Sequence, residues 1–424
     1  MLTIKIIQDN PELVVKKLFV KNFDARIIVD KIIALYEKKN QTQGKADNAK
    51  AEMNKISKEI GILFREEKEE EANAAKERTL ELKDAIKQLD QEFAAIDGEV
   101  YDLLVQLPNI PHESVPKGNS ENDNIVVKAV GDKTSLPENA LPHWELAQKY
   151  HLIDFELGVK LTGAGFPVYT GKGARFQRAL INFFLDQARD NGYEEIQPPL
   201  VVNEASGFGT GQLPDKEGQM YHITEDNLYL IPTAEVPVTN IYRDVILDAK
   251  DLPYKNTAYS SCFRREAGSY GKDVRGLNRL HQFDKVEVVQ IAHPEKSYQV
   301  LNEMVDYVET LVQKLELPYR ILKLCGGDLG FTSALTFDFE VYSAAQKKWL
   351  EVSSVSNFES FQANRLKLRF RKEGTKKPQL AHTLNGSALA LPRIVAALLE
   401  NNQTPEGIRV PKVLIPYCGF SLID

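Results

Sequence analysis

Four short segments in the C-terminal part of the sequence carry residue types suited to anions and hard cations. Phe263-Arg264-Arg265-Glu266 closes one run rich in β-branched and aromatic residues, and Arg279-Leu280-His281-Gln282-Phe283-Asp284-Lys285-Val286-Glu287 opens the next. Farther on stand Glu351-Val352-Ser353-Ser354 and Leu384-Asn385-Gly386-Ser387-Ala388-Leu389-Ala390-Leu391-Pro392-Arg393. A guanidinium is a planar fork for carboxylate or phosphate oxygens. Carboxylate and hydroxyl oxygens suit a hard cation such as Mg2+. Taken singly, each arginine reads as a surface ion pair. Asn385 and Ser387 taken singly read as an N-cap and turn before a final helix starting near Ser387.

Other patterns carry no chemistry. Gly165 to Lys172 imitates a phosphate loop, but its glycine spacing is one residue too long, Gly173 replaces Ser or Thr, and Pro167 interrupts it. Gly326-Gly327-Asp328-Leu329-Gly330 lacks the spacing of a dinucleotide fingerprint. Cys262, Cys325 and Cys418 are far apart and follow no ligand spacing, so neither a structural zinc nor a disulfide framework is expected.

The elements that must carry these segments are mixed. From about residue 131 to 424 the sequence reads as one unit of strands and helices. A helix is expected over residues 176–191 with Gly192 just past its end, and strands over 257–265, 282–291, 336–341 and 349–354. Residues 266–276 form a connection too long for a simple hairpin turn, as functional loops often are.

The first third is different. Apolar residues recur in alternating steps of four and three, from Ile28, Ile32 and Leu35 through polar Lys39 and Thr42 to Ala46, Ala49, Met53, Ile56, Ile60 and Leu63. The pattern returns at Leu82, Ile86, Leu89, Phe93, Ile96, Val100 and Leu103. Such heptads specify a coiled-coil seam. With a polar break at 65–74, they predict an antiparallel helical hairpin over about 25–107, within an N-terminal domain spanning 1–108. From periodicity alone such an arm serves dimerisation or spacing. Lysines including Lys31, Lys38, Lys39, Lys45, Lys50, Lys55 and Lys58 load the first helix, which permits a basic face along a phosphate backbone. The proline-studded, polar stretch 109–130 reads as a linker.

Composition bounds the rest. With 424 residues, 43% hydrophobic and 27% charged, the chain has the balance of a globular protein with more than one domain. No apolar run could span a membrane, and the first residues lack a secretory profile, so a cytoplasmic setting is expected. A formal net charge of −7 argues against indiscriminate nucleic-acid binding but not against a local basic stripe.

Taken together, these segments resemble the motifs of class II aminoacyl-tRNA synthetases, and the match is nearest to the bacterial type of the seryl-tRNA synthetase family. The resemblance covers nearly the whole chain. It includes the helical arm, Leu107-Pro108-Asn109-Ile110-Pro111-His112, the dimer motif at Ile196-Gln197-Pro198-Pro199 and a serine-binding loop at Pro232-Thr233-Ala234-Glu235. It implies an α+β catalytic domain built on an antiparallel sheet flanked by helices. It also implies a homodimer that uses ATP with Mg2+, L-serine and tRNA(Ser), gripped by the arm, with tRNA(Sec) as a further acceptor.

By motif position, the resemblance puts Arg264 on the α-phosphate, Arg279 on the γ-phosphate and Arg393 at the triphosphate end and one adenine face. Phe283 stacks on the other face, Glu266 accepts from the adenine amino group, and Glu351 and Ser354 hold Mg2+. Glu287 pairs with the serine ammonium beside Thr233, Ala234 and Glu235, while Asn385 and Ser387 read the hydroxyl. Arg265, Leu335, Val355, Ser360 and Asn364 depart from the family pattern, and none of them carries an assigned chemical role. A catalytically silent tRNA-binding homologue, or an enzyme loading a carrier protein, are the competing readings.

Overall fold

The computed structural model describes residues 1–137, 139–215, 217–266 and 275–424. Two units separate in it: Met1–Phe19 with Phe23–Pro108, and Val20–Asn22 with Asn109–Asp424.

In the first unit, the proline-free heptad sequence becomes two long helices, α1 (Arg26–Arg65) and α2 (Glu69–Gln106). At 40 residues, α1 is roughly 60 Å long. The reversal is tight, with Glu67 left-handed at φ 58° and the Lys68 N–H bonded to the Leu63 carbonyl at 3.0 Å. Seam positions from Ile28 to Leu63 and from Leu82 to Leu103 are buried or half-buried, as a narrow stripe shared by only two helices requires. Part of the expected basic face is turned against α2. Lys31 pairs with Glu99 at 2.7 Å, Lys38 with Glu92 at 2.9 Å and Lys50 with Asp90 at 3.0 Å, and Lys39 pairs with Asp97. Such exposed pairs each contribute about 0–1 kcal/mol, so they align the helices more than they stabilise them.

The second unit is organised by one sheet. Its strands are β1 (Ile125–Val130), β2 (Glu194–Glu195), β3 (Tyr254–Phe263), β4 (Gln282–Ala292), β5 (Tyr319–Lys323), β6 (Leu335–Ser343), β7 (Lys348–Asn357) and β8 (His382–Ala390). They lie in the order β1-β5-β6-β7-β8-β4-β3-β2. Neighbours are antiparallel throughout, except that β2 runs parallel to β3. This is the antiparallel sheet expected, with helices α3 (Gly171–Asp190), α4 (Ser297–Lys314) and α5 (Leu391–Asn401) packed on it.

Strand alternation divides the sheet into a wet and a dry face. Val286, Val288, Phe339, Val355 and Leu384 join the apolar sides of the three helices in one core. Glu287, Thr336, Asp338, Ser354, Ser356, Asn385 and Ser387 belong to the other set. Most of them are buried although polar, which interiors tolerate only where polar groups find partners.

Several boundaries differ from expectation. Strand β3 ends at Phe263 rather than residue 265, because one residue beyond the last ladder bond, made by Arg264, the Arg265 N–H turns to the Gln219 carbonyl at 2.9 Å. The final helix begins at Leu391, with Pro392 in its first turn, and not near Ser387. Asn385 and Ser387 are paired strand residues of β8, and the helix is capped by Ala390 without a side-chain bond, so the N-cap reading of those two residues is overturned. Helix α3 starts at Gly171, five residues ahead of expectation, and ends as expected before Gly192 at φ 80°.

Within the stretch read as a linker, residues 125–130 pair as the edge strand β1. Asn109 is buried, bonding Phe331, Thr332 and Phe358 carbonyls. Most of the expected loop, residues 267–274, lies outside the described residues. Among the described residues no helix is long and apolar enough to cross a membrane.

Candidate active site

The wet face gathers most of the chemical residues through register. Directly opposed residues of an antiparallel pair share a face. Glu287 on β4 lies opposite Ser387 on β8, and Val289 opposite Asn385. Asn385 is in turn opposite Ser356 on β7, and Ser356 opposite Thr336 on β6. Glu351 and Ser354 are three apart, a spacing that plain alternation sends to opposite faces. The register of β6 and β7 shifts between Phe339 and Glu340, where Ser353 and Glu351 are the successive partners. That bulge turns both side chains into one cavity of about 690 Å3, which Thr336, Asp338, Glu340 and Ser356 also line.

One cluster is an almost sealed nest of charges. Glu287 is 2% exposed, and its Oε2 receives the Lys285 ammonium at 2.5 Å and the Thr233 hydroxyl at 3.3 Å. Beside it Glu235, 8% exposed, accepts from Gln362 Nε2 at 2.7 Å. Burial, and next the neighbouring Glu287, push the Glu235 carboxyl up to about 7, against the pull of Gln362, Lys285 and Asn385. Three of these groups are charged or readily charged, and only one is a cation. Such a nest suits an incoming ammonium flanked by hydroxyl-binding side chains. Ala234 packs into an apolar cluster with Val238 and Val289, so only its backbone could face a ligand.

The second cluster is arginine-rich. Arg264 continues the β3–β4 ladder one step, its N–H bonding the His281 carbonyl at 2.9 Å. Its guanidinium lies 5.2 Å from the Phe283 ring centre, and Nε reaches the Pro232 carbonyl at 3.3 Å. Arg279 donates to Glu266 at 3.0 Å, and Glu266 is held left-handed at φ 48°. Arg393 Nη1 donates to the Glu351 carbonyl at 2.7 Å and lies 3.7 Å from its carboxylate. Glu351, Ser354 and Arg393 are thus brought together, as are Arg264 with Phe283, and Arg279 with Glu266.

The oxygens at Glu351 and Ser354 fit Mg2+. Both line the cavity, and Asp338, opposite Ser354 in the strand pairing, is 8% exposed with Oδ1 buried and unpartnered. Burial first, then the nearby Glu351 carboxylate, raise Asp338 well above the usual carboxylate range, although the Ser354 hydroxyl opposes this. Among the described residues no group of three or more His, Cys, Asp or Glu is placed to hold a metal, so phosphate oxygens would have to complete a shell started there.

The seryl-tRNA synthetase N-terminal domain family matches residues 1–111, and the class II tRNA synthetase core domain family (G, H, P, S and T) matches 220–402. The serine--tRNA ligase of Salinibacter ruber is 52% identical over 424 residues, covering 100% of this chain and 99% of that protein. The chain belongs to the seryl-tRNA synthetase family. The serine--tRNA ligase of Chlorobaculum parvum is 47% identical over 431 residues and covers both chains fully. The crystal structure of the Pyrococcus horikoshii seryl-tRNA synthetase complexed with ATP superposes with TM-score 0.95 at 35% identity, covering 100% of this chain and 99% of that one.

Against the family motifs, the geometry adds Lys285, Gln362 and Asp338 to the site. Lys285 was within reach of sequence reasoning, because it lies two residues from both Phe283 and Glu287 on a strand. Asp338 becomes visible only once β6 is paired with β7 opposite Ser354. Nothing near Gln362 in the sequence marks it.

Proposed function

We propose that this chain is a serine--tRNA ligase. It joins L-serine to ATP as seryl-adenylate and transfers the seryl group to the terminal adenosine of tRNA(Ser), with tRNA(Sec) as a further acceptor. The observation that carries this reading is the sealed nest around Glu287, opposite Ser387 and next to the arginine cluster. An amino acid with a small polar side chain and a nucleotide triphosphate can meet there.

In the first step a serine carboxylate oxygen attacks the α-phosphorus, the bond to the bridging oxygen breaks, and pyrophosphate leaves with that electron pair. Such a displacement depends on positioning and charge neutralisation more than on a strong base. Glu287 accepts from the serine ammonium, with Thr233 alongside and Glu235 behind. Asn385 and Ser387 bond the hydroxyl, and a site built this way rejects alanine by a factor of about 10⁴ because its polar groups would be left unpaired.

Arg264 leaves the Phe283 ring to meet the α-phosphate, and the ring then takes one adenine face while Arg393 covers the other. Arg279 meets the γ-phosphate, and Glu266 the adenine amino group. Glu351 and Ser354 would hold Mg2+, which neutralises phosphate charge when bound. In the second step the terminal adenosine hydroxyl attacks the seryl carbonyl, and AMP leaves.

The hairpin of α1 and α2 grips the tRNA. Lysines of α1 that pair with no acid across the hairpin, such as Lys58, are the candidates for phosphate contact. The exposed edge strand β2 (Glu194–Glu195), followed directly by the motif at residues 196–199, supports a homodimer, and the enzyme works in the cytoplasm. Charging of a tRNA(Ser) transcript with labelled serine tests the whole reading: serine on the transcript is expected, and adenylate formation with no charging would turn it towards a different acceptor.

A further inference from the structure

His143, at the start of a short helix (His143–Lys149), and Glu400, on α5, are both 0% exposed. Neither belongs to the residues placed against substrate. Glu400 Oε1 accepts from the His143 N–H at 3.0 Å, His143 Nδ1 at 2.8 Å and Gln346 Nε2 at 3.1 Å. Its Oε2 accepts from the Ser343 hydroxyl and from the Ala345 N–H at 3.2 Å. Burial pushes the Glu400 carboxyl upward, but the bonds from His143 and Ser343 outweigh it and hold it below its ordinary range.

An ionised carboxylate only accepts, so the shared bond requires the imidazole hydrogen on Nδ1. Nε2 is then a lone pair, and the Leu277 N–H donates to it at 2.9 Å. The chain passes so close here that a Cβ on Gly276, which is left-handed at φ 69°, would collide with the ring. A second strut runs beside the first. Asn278 Nδ2 donates to Gln346 Oε1 at 2.9 Å, and Gln346 Nε2 is anchored on Ser343 at 2.8 Å as well as on Glu400. The Asn278 carbonyl receives Arg393 Nε at 3.4 Å, and Arg393 shares α5 with Glu400. Both struts therefore end on the residues just before Arg279, and one continues to Arg393.

We infer that His143 and Glu400 are a positioning pair that presents Arg279 and Arg393 to the triphosphate, and that they set affinity for ATP and not for the amino acid. The inference rests on the function proposed above. The serine nest hangs instead on its own bonds among Thr233, Glu235, Lys285, Glu287 and Gln362, none of which runs to His143, Glu400, Gln346 or Asn278.

The test is ATP–pyrophosphate exchange by the full chain, with KM read separately for ATP and for serine and folding checked by thermal unfolding. His143→Ala strands the buried Leu277 N–H and is expected to raise KM for ATP about tenfold, the effect of losing one such bond, with KM for serine within about twofold. His143→Gln, whose amide oxygen can accept from Leu277, recovers most of that loss.

Asn278→Ala cuts only the second strut and decides the matter if His143→Ala does not fold: a rise in KM for ATP alone supports the inference. Equal rises in both KM values, or an unchanged KM for ATP, overturn it. So does a Gln variant as impaired as the Ala variant. Exchange by the unmodified chain is measured first, so that failure of the proposed function is told apart from failure of this inference.

Discussion

Glu287→Gln is the perturbation whose consequences the structure specifies most fully. The substitution keeps the shape of the side chain and removes its charge, in a nest where Glu287 is 2% and Lys285 6% exposed. Two penalties follow. Lys285, now 2.5 Å from a neutral amide, loses its counter-ion, and breaking one side of a buried pair costs about 3–5 kcal/mol of stability. Serine loses a charge-assisted bond to its ammonium, about 1.5–3 kcal/mol, which corresponds to a rise in KM for serine of roughly 10- to 150-fold.

The two effects separate in the double variant Glu287→Gln/Lys285→Met. Removing the stranded ammonium restores most of the stability, while the serine defect persists. Serine-dependent pyrophosphate exchange gives KM, and thermal unfolding gives the stability change. A folded Glu287→Gln protein with KM for serine within about twofold of the unmodified chain would refute the assignment of the ammonium site.

Other consequences can be checked with the same tools. Arg264→Ala removes the guanidinium over Phe283 and is expected to slow adenylate formation by about a hundredfold or more, measured as single-turnover pyrophosphate release; a near-normal rate would remove Arg264 from the phosphate. Glu235 has its carboxyl raised to about 7 from an unfolded value of 4.5, so its contribution is fully present below about 4.5 and lost as pH rises through 7. Glu235→Gln is therefore expected to gain roughly 3 kcal/mol relative to the unmodified chain between those two pH values, and denaturant unfolding at several pH values that shows parallel curves would exclude it. Replacing residues 30–102 by a short Gly-Ser link, at the level where Lys31 and Glu99 face each other at 2.7 Å, should spare pyrophosphate exchange and abolish tRNA charging; parallel loss of both would contradict an arm devoted to tRNA.

The arm was legible almost residue by residue, because an uninterrupted alternation of four and three has one physical solution. Its charge was legible only in part. Lysines are visible in sequence, but that Lys31, Lys38, Lys39 and Lys50 face acids on α2 follows from the pairing of the helices. In the second unit the strands at Phe283 and Phe337 were visible as runs, and β8 was not. Asn385-Gly386-Ser387 reads locally as a turn, and tertiary pairing on both sides makes it a strand.

Glu351 and Ser354 show the same limit from the opposite side. The resemblance marked them as partners, yet their three-residue spacing contradicts a shared face until the bulge in β7 is known. A bulge belongs to the pairing of two strands, so one strand's sequence does not contain it. The expected loop at 266–276 keeps its described ends, Glu266 against Arg279, and its stem on His143.

The central claim is that this site activates serine. Exchange of labelled pyrophosphate into ATP, run with serine and with each other amino acid in parallel in the presence of Mg2+, tests it most directly. The account predicts exchange with serine and none with alanine. Exchange driven by another amino acid, or none with any of them from folded protein, would contradict it.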